Sequence, residues 1–297
     1  LKHYSDMGAC QFGQDAHRLG DQTLEAGGAG GPRRVLVTGA NKGIGFAMCK
    51  KLLETSSDIY VFLGARDEVR GSTAARQLLA EMPSAKGRLD FLQLDVSSDA
   101  SVRHAADVVR SKFGAPALWA IVNNAGIARG NLNEVLQVNV YGVKRVCDAF
   151  LPLMEPAGRI VNISSGVGPG YVRRASQEEQ ALLCDPQVTW SALEEYMRQV
   201  GRTCSNPYGL SKAILNAYTM LLARENPGLA INGCSPGWIQ TDLTGGSGHY
   251  PPEGGTRSAL VLLFKKLEGN GRYYGSDGLR SPLHLARDPG TPEYKGP

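Results

Sequence analysis

Tyr208 and Lys212 are the two side chains of this 297-residue sequence whose types and spacing point most directly to chemistry. A separation of four residues places both on one face of a helix, about one turn apart. An ammonium group favours phenolate over phenol, so we expect Lys212 to lower the pKa of Tyr208 from its usual ~10. Such a tyrosine gives a proton to a carbonyl oxygen or takes one from an alcohol. The same spacing also occurs on solvated helix faces, so other motifs must decide.

A glycine-rich turn predicts a phosphate-binding site near the first strand. The apolar residues 35–37 run directly into residues 38–45, TGANKGIG, and a helix-like segment follows. Glycines let the backbone approach a pyrophosphate closely, and the helix N-terminus supplies free N–H groups and the positive end of its dipole. The alternative is an ordinary turn between a strand and a helix.

The end of the second predicted strand, residues 59–64, indicates which dinucleotide would bind. NAD sites usually place an acidic residue there for the ribose 2′-hydroxyl. This sequence has Arg66 at that position, and Lys42 lies in the glycine-rich turn. Two cations suit a 2′-phosphate, which predicts NADP(H). In the alternative interpretation Arg66 is a solvated loop charge and Asp67 contacts the ribose.

Strand-like and helix-like segments alternate along most of the chain, which favours a parallel sheet covered by helices on both faces. We therefore expect one α/β domain of the Rossmann type, doubly wound, with a seven-stranded, mostly parallel sheet. The helices expected near the site are 98–113, a single long helix over 133–154, and 207–223. The expected strands are 35–37, 59–64, 89–94, 118–122, 159–163, 230–234 and 271–274.

Composition excludes several function classes. The net charge of +4, from 32 basic and 28 acidic residues, is too balanced to predict nucleic-acid or anionic-membrane binding. No apolar run reaches the ~20 residues of a membrane span. The six cysteines are scattered without ligand spacing, which predicts free thiols, a cytoplasmic location and no metal site. Because the chain begins with Leu1 rather than Met, removal of an organelle-targeting peptide stays open.

The sequence divides into three segments. Residues 1–31 end in a glycine-rich linker and are expected to form a flexible N-terminal tail. Residues 32–275 are expected to form the Rossmann-type domain, with a helical insertion at about 168–206. Residues 276–297, rich in proline, glycine and charge, are expected to be a C-terminal tail, either docked or loose.

Further motifs in the sequence resemble those of a known family. In order they are Thr38-Gly39-x-x-x-Gly43-x-Gly45, Asn123-Asn124-Ala125-Gly126, Asn139, Ser164-Ser165, Tyr208-x-x-x-Lys212 and Pro236-Gly237. With these motifs, residues 33–275 resemble the short-chain dehydrogenase/reductases. Within that family the chain is most similar to the branch of carbonyl reductases and menthone or salutaridine reductases, which also has a long insertion at this place. The connection from Gly126 to Asn139 is shorter than the family habit, so we expect a more open substrate pocket.

The resemblance implies a catalytic role for Asn139, Ser165, Tyr208 and Lys212. Tyr208 would be the acid/base, Lys212 would also hold the nicotinamide ribose, and Asn139 would bind a water that relays protons to Lys212. Ser165 would hydrogen-bond the substrate oxygen, although Ser164 could exchange with it. Ser165, Tyr208 and Trp238 would contact the substrate, but Trp238 is equally well explained as a buried anchor. The cofactor contacts expected are Gly39, Asn41, Lys42, Gly43, Ile44, Gly45, Arg66, Asp95, Val96, Asn123, Ala125, Gly126, Tyr208, Lys212, Pro236, Gly237, Trp238, Ile239 and Thr241.

The function expected from these motifs is NADPH-dependent reduction of a ketone, aldehyde or quinone group in a small hydrophobic substrate. The alternative is a non-catalytic Rossmann-fold subunit that acts as a structural or nucleotide-binding component of a larger assembly. By resemblance to the carbonyl reductases, the insertion is expected to cover the surface through which relatives dimerise. We therefore expect a monomer, with the tails as possible sites for assembly partners.

Overall fold

The computed structural model describes residues 31–200, 204–285 and 287–296, which form an α/β fold around one sheet. Eight strands lie in the order β3-β2-β1-β4-β5-β6-β7-β8. Neighbouring strands from β3 to β7 are parallel, and β8 is antiparallel to β7. The strands are β1 (Arg33–Val37), β2 (Ile59–Ala65), β3 (Leu89–Gln93), β4 (Leu118–Asn123), β5 (Met154–Ile163), β6 (Ala230–Cys234), β7 (Tyr273–Tyr274) and β8 (Arg280–Ser281).

Helices cover both faces of this sheet, as the sequence predicts. They are α1 (Gly43–Thr55), α2 (Glu68–Glu81), α3 (Asp99–Phe113), α4 (Leu132–Asn139), α5 (Tyr141–Phe150), α6 (Val167–Val172), α7 (Gln177–Leu183), α8 (Trp190–Val200), α9 (Pro207–Glu225) and α10 (Arg257–Phe264). In the described part of the chain, no helix combines the length and apolar character needed to cross a membrane.

Successive residues of the central strands point into two hydrophobic cores on opposite faces of the sheet. Leu36 and Ile121 pack with α3, α4, α5 and α9. Val37 and Val122 pack with α1, α2 and α10 on the other face. Because both faces are covered, these strands are apolar throughout instead of alternating with polar residues.

The eighth strand corrects the expected count of seven. β8 lies within residues 276–297, which the sequence predicts as a tail. Its two residues, Arg280 and Ser281, carry no apolar pattern, so pairing with β7 alone defines the strand. The backbone N–H of Tyr294 donates to the carbonyl of Arg280 at 3.1 Å, so residues after β8 also dock on the domain. Residues 1–30 of the N-terminal tail and 201–203 of the insertion lie outside the described residues.

The single helix expected over residues 133–154 is also wrong. α4 ends at Asn139 and α5 begins at Tyr141, with Val140 at φ −119° and ψ −67° between them. A short 3-10 helix, Leu151–Leu153, follows α5, and β5 begins immediately after it at Met154. Asn139, a residue expected in the candidate site, is thus the last residue of α4 and directly precedes the break.

The helical insertion packs against the same domain through aromatic contacts. The ring of Trp190, at the start of α8, lies 5.6 Å from that of Tyr141 on α5 and 5.5 Å from that of Tyr218 on α9. Both pairs meet nearly edge to face, an arrangement that stabilises aromatic packing. The ammonium of Lys144 lies 5.2 Å from the centre of the Trp190 ring. The insertion therefore packs against α5 and α9.

Candidate active site

Helix α9 positions Tyr208 and Lys212 at the carboxyl edge of the sheet. Asn206 caps the helix, because its side-chain oxygen accepts from the N–H of Gly209 at 3.0 Å, and Pro207 occupies the first turn. Lys212 is only 4% exposed, and its Nζ donates to the carbonyl of Ile163 at 2.8 Å. That Nζ lies 5.7 Å from the centre of the Tyr208 ring. The helix thus brings the phenol and the ammonium together on one face.

The protein's own side chains do not lower the pKa of Tyr208, contrary to the sequence-based expectation. Burial raises this pKa, and a hydrogen bond with Ser165 opposes the rise. Burial lowers the pKa of Lys212 to about 8. The ammonium is directed at the Ile163 carbonyl and faces the Tyr208 ring, so it contributes little to stabilising a phenolate. Tyr208 is consequently a neutral phenol at neutral pH, which is the form that donates a proton.

The two serines after β5 have different surroundings. The hydroxyl of Ser164 is buried and lies 3.4 Å from the backbone carbonyl of Lys212, towards which it donates. The hydroxyl of Ser165 accepts from the N–H of Val167 at 3.4 Å, and it lies close enough to Tyr208 to oppose the rise of the Tyr208 pKa. Of the two serines that the sequence leaves open, Ser165 is therefore the one that shares a site with the phenol.

The side chain of Asn139 connects the loop after β4 to helix α9. Its side-chain oxygen accepts from the N–H of Ile127 at 2.9 Å, and its Nδ2 donates to the carbonyl of Ile127 at 2.9 Å and to the hydroxyl of Ser211 at 3.0 Å. A methyl group placed on Gly126 would lie 3.3 Å from Asn139 Oδ1 and 3.7 Å from Lys212 Nζ. Because Gly126 has no side chain, the space between Asn139 and Lys212 is left unobstructed at this point.

The glycine-rich turn has no room for side chains where it meets the loop after β4. A methyl group on Gly39 would lie 2.7 Å from the Cα of Ala125, and one on Gly45 would lie 2.5 Å from Asn124 Nδ2. Gly39 and Gly43 also have left-handed φ values of +63° and +57°, which favour glycine. No side chain caps α1, and its first turn has no acidic residue. Its free N–H groups suit the phosphates of a dinucleotide, and Asn41 and Ile44 lie in the same turn.

Two residues that hold this turn were missed in the sequence analysis. The hydroxyl of Thr38 accepts from the backbone N–H groups of Asn124 and Ala125, each at 3.0 Å. Asn124 Nδ2 donates to the carbonyls of Thr38 and Gly39 at 2.9 and 3.1 Å. Both belong to the quoted motifs, but their partners lie on another loop, which no local pattern reveals.

The two expected phosphate ligands, Arg66 and Lys42, are both exposed. Arg66 makes no hydrogen bond or ion pair with any described residue. The neighbouring carboxylate of Asp67 accepts from the N–H of Arg70 at 2.8 Å and so caps α2. This cap disfavours the alternative in which Asp67 contacts a ribose. Lys42 forms an ion pair with Asp242, a residue that the sequence analysis did not single out.

The residues expected around the adenosine differ in how well they fit that role. Val96 is buried, and the carboxylate of Asp95 accepts from the N–H and the hydroxyl of Ser97 at 2.9 and 2.6 Å. The side chain of Asn123 points into the core, where its Nδ2 donates to Asn162 at 2.9 Å. This amide is already used inside the sheet, and a contact of Asn123 with the adenosine ribose stays a prediction.

The segment after β6 closes the other side of the site. It includes Pro236 and Gly237, and Gly237 has φ +92°, where a methyl group would lie 3.1 Å from the Cβ of Ser276. Thr241 lies over the glycine-rich turn, because a methyl on Gly43 would be 3.4 Å from its Cγ2. Ile239 is buried, whereas Trp238 is 52% exposed. Trp238 is thus not a buried anchor, which leaves it available to a substrate.

No group of metal-ligating side chains occurs within residues 31–200, 204–285 and 287–296. The cysteine next to the site, Cys234, is fully buried, and burial raises its pKa to about 12. It is therefore a neutral thiol that packs in the core, and Ser165, Tyr208 and Lys212 are the candidate reacting groups of the site.

Comparison with known proteins agrees with this geometry. Residues 33–176 match the sequence profile of the short chain dehydrogenase family. The chain is 35% identical over 280 residues to short-chain dehydrogenase/reductase 1 of Saponaria officinalis, covering 79% of this chain and 91% of that protein. It is 34% identical over 257 residues to carbonyl reductase (NADPH) 3 of Rattus norvegicus, covering 77% and 90%.

A solved structure shows the same architecture. Salutaridine reductase from Papaver somniferum superposes with a TM-score of 0.73 and 28% sequence identity. The match covers 82% of this chain and 99% of that one. The resemblance to the branch of carbonyl, menthone and salutaridine reductases is thereby confirmed.

Proposed function

Because the chain belongs to the short-chain dehydrogenase/reductase family and is an oxidoreductase, we propose that it reduces the carbonyl group of a small hydrophobic substrate with NADPH. The observation that carries this proposal is the convergence of Ser165, Tyr208 and Lys212 at the carboxyl edge of the sheet. Their arrangement supplies a hydrogen bond to a carbonyl oxygen, a protonated phenol and a nearby ammonium. The similarity to carbonyl reductase (NADPH) 3 supports the same reaction class.

The side chains divide the reaction between them. Bound NADPH supplies the hydride that reaches the carbonyl carbon. Ser165 hydrogen-bonds the carbonyl oxygen and holds it beside Tyr208, which donates the phenolic proton to that oxygen and completes the alcohol. Lys212, positively charged at neutral pH, would hold the nicotinamide ribose and so place the cofactor beside Tyr208. Water held between Asn139 and Lys212 then returns a proton towards Tyr208.

NADP(H) is proposed over NAD(H) because of the charges at the end of β2. Arg66 is exposed and makes no ion pair among the described residues, so its guanidinium is free to bind a 2′-phosphate in the bidentate manner that suits arginine. One carboxylate oxygen of Asp67 is used to cap α2, which disfavours its contact with a 2′-hydroxyl. Lys42 adds a second cation in the glycine-rich turn.

A substrate panel tests the proposed reaction. NADPH consumption is measured with quinones, aldehydes and cyclic ketones, and the Tyr208→Phe variant serves as the matched inactive control. Turnover of at least one carbonyl class by the wild type, lost in the variant, supports the proposal. If the wild type consumes no NADPH with any carbonyl compound tested, yet forms a stable complex with another protein, the non-catalytic subunit would instead be favoured.

We also propose a cytoplasmic location. The five cysteines of the described residues are free, and disulfides are rare in reducing compartments. Fractionation of cells that express the chain would test this location, and recovery in an organelle would contradict it.

A further inference from the structure

Lys42 and Asp242 connect two segments of the site that are 200 residues apart in sequence. Lys42 lies in the glycine-rich turn, immediately before α1. Asp242 begins the 3-10 helix Asp242–Thr244, which follows the turn at Pro236 and Gly237. The ammonium and the carboxylate form an ion pair, although the two side chains are 60% and 79% exposed. The pair therefore links the glycine-rich turn to the segment after β6.

The backbone around this pair holds the two segments together. Thr241, next to Asp242, contacts the region above Gly43, next to Lys42. A second contact lies deeper, where a methyl on Gly255 would be 3.0 Å from Ile44 and 3.1 Å from Ile239. The two segments are thus also close together where the ion pair is not involved. Asp242 has no other side-chain partner among the described residues, and Lys42 holds its pKa below the usual range.

We propose that Asp242 competes with the 2′-phosphate of NADP(H) for Lys42 and so lowers the affinity of the enzyme for this cofactor. This inference rests on the proposed function. Binding of the phosphate transfers the Lys42 ammonium from the carboxylate to the phosphate. Asp242 then determines how strongly the enzyme distinguishes NADPH from NADH, although it does not itself contact the nicotinamide.

The exposure of the pair makes this exchange feasible. Ion pairs between exposed side chains are weak, because water screens both charges. A phosphate carries up to two negative charges and accepts stronger hydrogen bonds than a carboxylate in the same place. After transfer, the carboxylate of Asp242 is unpaired and close to a phosphate of the same sign, which opposes binding. Removing the carboxylate charge of Asp242 should therefore remove both the competition for Lys42 and the repulsion of the phosphate.

The test is the Asp242→Asn variant. Dissociation constants for NADPH and NADH are measured by fluorescence titration at low salt. The size of an exposed ion pair predicts about two- to fivefold tighter binding of NADPH by the variant, with little change for NADH. The difference should shrink in about 1 M salt, where the screening length falls to about 3 Å.

Two further proteins isolate the competition. Glu54→Gln removes a carboxylate from another exposed lysine pair on α1, in which Lys51 Nζ lies 2.8 Å from Glu54, and should leave both constants unchanged. In a Lys42→Met background the Asp242→Asn change should have a smaller effect, because no ammonium remains to be shared and only the repulsion between carboxylate and phosphate is relieved. A structural role of Asp242 would give the same change in both backgrounds.

The outcomes are distinct. Tighter NADPH binding that depends on Lys42 supports the inference. Unchanged or weaker NADPH binding by Asp242→Asn, with a wild type that binds NADPH, overturns the inference alone. An equal gain for NADPH and NADH overturns the assignment to the 2′-phosphate. A wild type that does not bind NADPH overturns the proposed function and this inference with it.

Discussion

The Nζ of Lys212 donates a 2.8 Å hydrogen bond to the carbonyl of Ile163, the last residue of β5. This hydrogen bond connects α9 to β5, the strand that Ser164 and Ser165 follow. The lysine therefore has a place in the folded protein that does not depend on Tyr208. Variants of the two residues should consequently have different effects.

Tyr208→Phe keeps the ring and removes the hydroxyl. Because general acid catalysis typically contributes ~10²–10⁴-fold, we expect kcat to fall by that order while NADPH affinity and melting temperature stay near those of the wild type. Steady-state kinetics, fluorescence titration and thermal unfolding measure the three quantities. A variant with near-normal turnover would refute the proton-donor role.

Ser165→Ala and Ser164→Ala form a matched pair. We expect Ser165→Ala to impair turnover with little change in NADPH binding, because its hydroxyl shares the site with the phenol. Ser164→Ala removes a hydroxyl that faces the backbone of α9 and should mainly lower stability. Turnover per folded molecule distinguishes them, and a larger loss of turnover in Ser164→Ala would reverse the assignment.

Lys212 should make stability depend on pH in a defined window. Its pKa is lowered from 10.5 to about 8 in the folded protein, so between these values the unfolded chain holds a proton that the folded chain has lost. The lysine contribution to the free energy of unfolding therefore rises with pH across this window, by about 3 kcal/mol in total. Urea unfolding of the wild type and Lys212→Met at pH 7 to 10 measures it. A wild type-minus-variant difference that stays constant with pH would contradict the lowered pKa.

Arg66→Asp should change the cofactor preference. Loss of one charge-assisted contact with the 2′-phosphate is expected to weaken NADPH binding roughly 10- to 150-fold, while NADH binding is kept or improved. Titration with both cofactors measures the ratio. Arg70→Asp, four residues further along the chain in the first turn of α2, is a control for the added negative charge. Equal affinity of the wild type for both cofactors would show that the NADP(H) assignment is wrong.

The end of the domain depends on a buried ion pair between Asp277 and Arg287, whose side chains are 13% and 7% exposed. Arg287 also donates to the carbonyl of Thr291 at 2.6 Å and to the hydroxyl of Ser281 at 3.0 Å. Arg287→Met leaves the carboxylate buried without its partner and should lower the free energy of unfolding by about 3–5 kcal/mol. Lys295→Met, from the exposed pair with Glu293, should leave it nearly unchanged. Similar unfolding curves for the two variants would argue against a structural role of the segment.

The insertion predicts the oligomeric state. Trp190 packs against α5 and α9 through edge-to-face contacts with Tyr141 and Tyr218, and we expect the insertion to hinder pairing of these helices with a second copy. We expect light scattering at micromolar concentration to give the monomer mass of 31.8 kDa. A dimer or tetramer mass would refute this prediction.

Local sequence patterns predicted the features that depend on neighbouring residues. The glycine-rich turn, the Tyr208–Lys212 spacing and the buried central strands were all correct, because each is set by chain geometry over a few residues. The break at Val140 was missed, because an apolar helical pattern continues across it. The two-residue strand β8 was missed, because only its pairing with β7 defines it.

Features that join distant parts of the chain were beyond the sequence. The pairing of Lys42 with Asp242, and the bonds from Asn124 to Thr38, link residues that no spacing rule connects. The direction of the Tyr208 pKa was also wrong, because the motif gives the nearness of an ammonium but neither the depth of burial nor the Ile163 carbonyl that the ammonium faces.

The exposed position of Trp238 has an optical consequence. Of the three tryptophans, Trp119 is buried and Trp190 is packed between two tyrosine rings, whereas Trp238 stands 52% exposed beside the turn at Gly237. Water around an indole shifts its emission to longer wavelengths, so the red edge of the protein spectrum should come mainly from Trp238. Binding of a substrate or cofactor that covers this ring should shift the emission to shorter wavelengths. This shift could be measured without an added fluorescent label.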